Sequence, residues 1–171
     1  MNRRHTLSLF AGAALMPATP ALSRDTSPDD AAAVVAWAEE CQAAWAGADA
    51  ERMYRTAADD LEWINIVGMH WRGKAAVIEA HRIYLTTMFR GVPNTFRGIE
   101  TLRPLGRDAV IAVVRWSVGQ FNTPIGTVVP ASDDRMTLVF RRTSEGLSLV
   151  HGANVQIDAR AEASNPVRTA G

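Results

Sequence analysis

Apolar positions recur at two spacings along the chain, helical in its first half and strand-like in its second. Val34, Trp37, Cys41, Ala44 and Trp45 return every three or four residues, which predicts a helix with one apolar face. Its start is marked by Ser27 as cap, Pro28 at the first helical position, and Asp29 and Asp30 at the positive end of the dipole. Gly47 stops it, and Asp49 can open a short second helix through Met53 and Tyr54. Residues 61–67 then alternate as a strand, with Leu61, Trp63, Asn65 and Val67 on one face. Gly68-Met69-His70 makes a turn and Trp71-Arg72 a short return. Gly73 opens a long helix to about Phe89, whose apolar face carries Val77, Ile78, His81, Tyr84, Leu85 and Met88.

The remainder reads as β. Residues 96–105 and 109–120 flank a turn at 106–108, a Pro- and Gly-bearing loop spans 121–134, and 135–143 pairs with 147–157 across 144–146. Both periodicities vanish after 157, so residues 158–171 are expected to form a loose tail. Helices first and antiparallel strands afterwards define an α+β domain over residues 28–157, with helices packed on one face of a curved sheet. Val110-Ile111-Ala112-Val113-Val114 is apolar at every position, whereas a half-solvated strand should alternate. Its second face is expected to be covered by another copy of the chain, a homodimer through the sheet face; a bulge or a large loop is the alternative cover.

Residues 1–23 depart from this pattern. Arg3 and Arg4 precede a short apolar run from Leu7 to Met16, and Ala21-Leu22-Ser23 fits a small-x-small cleavage site. The run is too short for a stable bilayer-crossing helix, which predicts an export signal and a periplasmic or secreted protein, with no membrane attachment after cleavage. Arg3-Arg4-His5-Thr6-Leu7 resembles a twin-arginine signal, with Thr6 where Phe is usual. Loss of this segment takes a neutral chain to about −2, which excludes the basic footprint of a nucleic-acid binder. Cys41, the single cysteine, excludes an internal disulfide and sits on a buried stripe.

The segment ADDLEWINIVGMHWRGKAAVIEAH carries N-x-x-G-x-x-W-x-G followed by a helix with His81. It resembles the SgcJ/EcaC family of SnoaL-like domains, within the nuclear transport factor 2-like superfamily, at Asp60, Glu62, Trp63, Asn65, Val67, Gly68, Trp71, Gly73, Ile78 and His81. Downstream, AVIAVVRWSVG is similar to the family's central strand, and Asn154 falls where its last strand carries an Asn. The resemblance implies a cone-shaped α+β fold around a pocket. That family is often labelled oxidoreductase, yet no G-x-G-x-x-G lies between a strand and a helix here, and no cofactor is expected. Ketosteroid isomerases of the same superfamily place a proton-shuttling Asp where this chain has Asn65, so their mechanism does not transfer.

The candidate chemistry centres on two residues. His81 lies on an apolar stripe, where desolvation favours the neutral imidazole; it is either a hydrogen-bonded core residue or a catalytic acid or base. Asn65 can stabilise an oxyanion or tie the turn to its neighbour strand, but it cannot act as a base. Trp63, Trp116, Tyr84 and Asn154 are the expected ligand-binding residues around a small apolar or aromatic molecule. Arg115, one charge in an apolar strand, either grips an anionic group or pairs across the dimer face. His70, His81 and His151 lack ligand-pair spacing, so no metal is expected. The expected activity is small-molecule binding with acid–base catalysis of the isomerase, dehydratase or cyclase type; the alternative is a non-catalytic periplasmic binding or assembly module.

Overall fold

A computed structural model describes residues 28–167 of the chain. The expected export signal and Ser27 lie outside the described residues. Helix α1 (Pro28–Ala46) is followed by the single turn α2 (Ala50–Met53), capped by the Asp49 carboxylate on the Arg52 amide at 2.9 Å. Strands β1 (Glu62–Ile64) and β2 (His70–Arg72) form a small hairpin, and α3 (Lys74–Thr86) follows from Gly73. Gly73 caps that helix at φ 86°, a conformation that disfavours any side chain. Then come β3 (Asn94–Leu105), β4 (Ala109–Val118), β5 (Phe121–Asn122), β6 (Val128–Val129), β7 (Ser132–Thr143), β8 (Gly146–Gln156) and α4 (Ala159–Ala163).

Six strands form one sheet in the order β2-β1-β8-β7-β4-β3, antiparallel except where β1 runs parallel to β8. Register shifts in β3 after Phe96 and Ile99 and in the β7–β8 pair after Val139 mark bulges, which bend a sheet and increase its twist. The concave face packs on the helices. Trp37 of α1 meets the edge of Phe140 at 5.5 Å, and Gln42 accepts the Phe96 amide hydrogen at 2.7 Å. Val34, Ala38, Cys41 and Ala44 are buried along α1, and burial pushes the Cys41 thiol up to about 12, which leaves it protonated and inert.

Several boundaries depart from the sequence pattern. The first strand stops at Ile64 rather than 67, because the Asn65 side chain competes for the backbone: its Oδ1 accepts from the amides of Val67 and Met69 at 3.1 and 2.8 Å. Helix α3 ends at Thr86, three residues early, and the loop expected over 121–134 contains the β5–β6 hairpin and the start of β7. Part of the expected loose tail is helical, since Asp158 caps α4 through the amides of Arg160 and Ala161. In β4, burial alternates despite the apolar run. Val110, Ala112, Val114, Trp116 and Val118 are buried, while Ile111, Val113 and Arg115 alternate with them and are only half-buried.

Candidate functional site

The sheet register decides which side chains meet inside. Val114, Met136 and Asn154 share one cross-strand row, and Trp116, Asp134 and Gln156 the next, all on the concave side. Met136, Asn154, Asp134 and Gln156 line a cavity of about 410 Å³. The rest of its wall comes from the β1–β2 turn, from α3 and the turn after it, and from the β5–β6 hairpin. Trp45, Trp63, Trp71, Tyr84, Phe89 and Phe121 make it largely aromatic. A larger hollow on the outer face, beside α4, is an open groove with charged walls such as Arg97, Asp133 and Glu162. The inner cavity has the size and composition of a site for a small organic molecule, which typically spans about 300–1,000 Å³.

His81 lies in an aromatic cage, 5.0 Å from the ring of Tyr54, 5.5 Å from Trp63 and 5.4 Å from Trp71. Its Nδ1–H donates to the Val77 carbonyl at 2.9 Å, and Nε2 receives the Tyr54 hydroxyl at 3.0 Å. The carbonyl can only accept, so this pairing fixes the neutral tautomer. Desolvation lowers the imidazole pKa to about 4, opposed by the Val77 bond. Tyr54 is itself buried, which raises its pKa well above the ordinary phenol value and keeps it a donor. Both His81 nitrogens are therefore occupied by protein, and only the rest of the ring is available to the cavity. Proton transfer through His81 requires its bond to Tyr54 to break first.

Asn65 lines the cavity and at the same time holds the turn; its Oδ1 is spent on two backbone amides, so only its NH₂ group is left to donate. Trp63, Tyr84 and Asn154 line the cavity. Trp116 does not. It faces inward but is fully buried beside Phe96, whose ring centre lies 5.5 Å away. Arg115 projects from the opposite face, bonded to Asp133 at 2.6 Å. Among the described residues, no cluster of three or more His, Cys, Asp or Glu gathers as for a metal ion.

The sequence pattern missed Asp134. This carboxyl is 3% exposed, lines the cavity, and has the Ser132 hydroxyl at 3.4 Å as a distant hydrogen-bond donor. Burial raises its pKa to about 6, against the Ser132 bond and with a smaller push from Asp133. Its neighbour Asp133 points outward, where Ser117 and Arg115 hold that carboxyl below its ordinary value. The signal was present: strand alternation carried two residues back from Met136 puts Asp134 inside. Asn94, also missed, lines the cavity from β3, three strands away from Asn154 on β8, and the side-chain oxygens of both are buried without a protein partner.

No protein-family model matches the chain, and no curated protein does. Solved structures do. A protein with a cystatin-like fold from Caulobacter vibrioides is 30% identical, with 81% of this chain and 96% of that one covered at a TM-score of 0.76. An NTF2-like protein from Novosphingobium aromaticivorans is 20% identical over 82% and 90% of the two chains, TM-score 0.60. A ketosteroid isomerase-like protein from Erwinia carotovora atroseptica is 16% identical over 77% and 99%, also at 0.60. The chain belongs to the family of the Caulobacter protein, and its fold is the cystatin-like, NTF2-like one.

Proposed function

We propose that the protein binds a small organic molecule with an apolar or aromatic body in the inner cavity. One observation carries this reading: an aromatic-walled hollow holds one buried carboxyl, Asp134, with Gln156 beside it in register. A mostly apolar hollow with a few placed polar groups is the usual form of a small-molecule site. Binding is favoured over acid–base turnover through His81, because both of its nitrogens already have protein partners. The N-x-x-G-x-x-W-x-G motif supports placing the chain nearest the SgcJ/EcaC group; homologues in which Asn65, Trp71 and His81 drift independently would remove that placement.

The test is a thermal-shift screen of apolar and aromatic metabolites on wild type and on Met136→Trp, which fills the cavity. Ligands present at about 100 times their Kd should stabilise the wild type by about 2.7 kcal/mol, a shift of several degrees. The filled variant should show none of these shifts. Identical profiles for the two proteins would rule out this cavity.

The outer face of the sheet supports a second assignment, a homodimer. Ile111, Val113 and Val139 form an apolar patch in register across β4 and β7, flanked by the Arg115–Asp133 and Arg135–Glu100 pairs at 2.6 Å. Sedimentation should give twice the 18.6 kDa full-chain mass, less any leader removed, and Val113→Arg should give a monomer that still binds ligand. A monomeric wild type ends the assignment.

A further inference from the structure

Resting on that cavity reading, we infer that the ligand carries a protonated amine on its apolar body and that the Asp134 carboxylate is its counter-ion. The first ground is the sign of the site. No Lys or Arg lines the cavity, and Asp134 is its one acidic residue. The nearby arginines of the same strands, Arg115 and Arg135, stand on the opposite face of the sheet and are committed to Asp133 and Glu100. Asp134 is thus a buried carboxylate without a protein cation among the described residues, an arrangement that is costly until a positive group arrives.

The second ground is the hydrogen-bonding inventory. Gln156, the register partner of Asp134 on β8, lines the cavity beside it, and its amide oxygen and the carboxylate form a set of acceptors. An ammonium group supplies three donors and no acceptor, which complements that set. The third ground is the wall. Trp63, Trp71, Phe89 and Phe121 offer apolar surface to the body of such a ligand, and aromatic rings tolerate a cation better than aliphatic walls do. A carboxylate ligand would meet a like charge here, and a neutral one would leave Asp134 uncompensated. His81 and Tyr84, the other titratable side chains of the lining, add no positive charge at neutral pH: His81 is neutral, and a tyrosine is never cationic.

The test is calorimetric titration of the purified protein at pH 7.5 with three probes that share one body: phenethylamine, 2-phenylethanol and 3-phenylpropionate. The amine should bind at least about tenfold more tightly than the alcohol, as expected for a charge-assisted hydrogen bond, with the carboxylate weakest. Asp134→Asn should bring amine and alcohol to within about twofold of each other. In wild type at pH 5, where Asp134 holds a proton, amine affinity should fall while alcohol affinity stays constant; this comparison stands even if the variant does not fold. Equal binding of amine and alcohol, a preference that survives in Asp134→Asn, or an amine affinity indifferent to pH each overturns the inference. In those cases alcohol binding leaves the cavity reading intact. If none of the three probes binds wild type, the inference falls; the cavity reading falls with it only if Met136→Trp also leaves the thermal-shift profile unchanged.

Discussion

Replacement of Gly152 by valine is expected to destabilise the protein by at least about 3 kcal/mol, the cost of displacing a large buried side chain. A Cβ built at Gly152 lies 2.3 Å from Cζ3 and 2.4 Å from Cε3 of Trp63, far inside any real contact. Neither residue can retreat. Trp63 and Gly152 are register partners of the parallel β1–β8 pair, so both backbones are held by the sheet. The indole is 4% exposed and packs edge-on against Tyr54 and His81, so a shift of Trp63 disturbs the cage around the imidazole and the cavity floor together. Whole domains are stable by only about 5–15 kcal/mol, so this one substitution should remove much of the total. Urea denaturation of Gly152→Val, and of the same change made with Trp63→Leu, measures it. The double variant should recover part of the loss, because the smaller side chain removes the clash. A single variant within about 0.5 kcal/mol of wild type would contradict the observed contact.

The second large effect is a change in how stability depends on pH. His81 in the folded protein titrates near 4, below its ordinary 6.5, so on acidification through that window the unfolded chain takes a proton that the native protein refuses. Its contribution is present above pH 6.5 and lost as pH falls to about 4, a loss of about 3 kcal/mol at 1.36 kcal/mol per unit. Asp134 does the reverse. Its folded value near 6 lies above the ordinary 3.8, so the native protein takes the proton first and gains stability as pH falls from 6 toward 4. The two windows nearly coincide, and their slopes cancel in the wild type.

Either variant should uncover the hidden partner. Asp134→Asn should be more stable than wild type at pH 7 by on the order of 2 kcal/mol, and should lose stability steeply between pH 6.5 and 4. His81→Gln should instead gain stability on acidification from 6 to 4. Denaturant midpoints at pH 7, 5.5 and 4 for the three proteins decide the matter. Parallel profiles would mean that neither group is shifted as its burial requires. Asp133, Asp60 and Glu40, all held below their ordinary values by arginine or serine, add a common loss below about pH 4 that leaves the differences unaffected.

Much of the fold is legible in the sequence because the elements that matter are periodic. The stripe of α1, the face of α3 and the two long hairpins stand where spacing puts them. What was not legible depends on competition or on layering. Asn65 has a strand residue's neighbours, but its short amide reaches two backbone hydrogens and turns the chain. Trp116 faces inward as alternation requires, yet alternation cannot say whether a helix or a cavity lies above it. His81 points inward as its stripe requires, while its partner Tyr54 comes from the end of a separate short helix and shares no pattern with it. Asp134 was hidden by a Pro- and Gly-bearing stretch that reads as loop, so the alternation was started one residue too late.

The parallel seating of β1 beside β8 has a consequence for the order in which the molecule can be made. The ribosome releases Trp63 and its hairpin early, but the glycine against which that indole lies belongs to the last strand of the sheet. Until residues 146–156 emerge, Trp63 lacks the glycine it lies on. Pairing across so long a stretch of chain is slow compared with local contacts. The nascent chain must therefore wait, with that indole uncovered, for β8 to close the floor of the cavity.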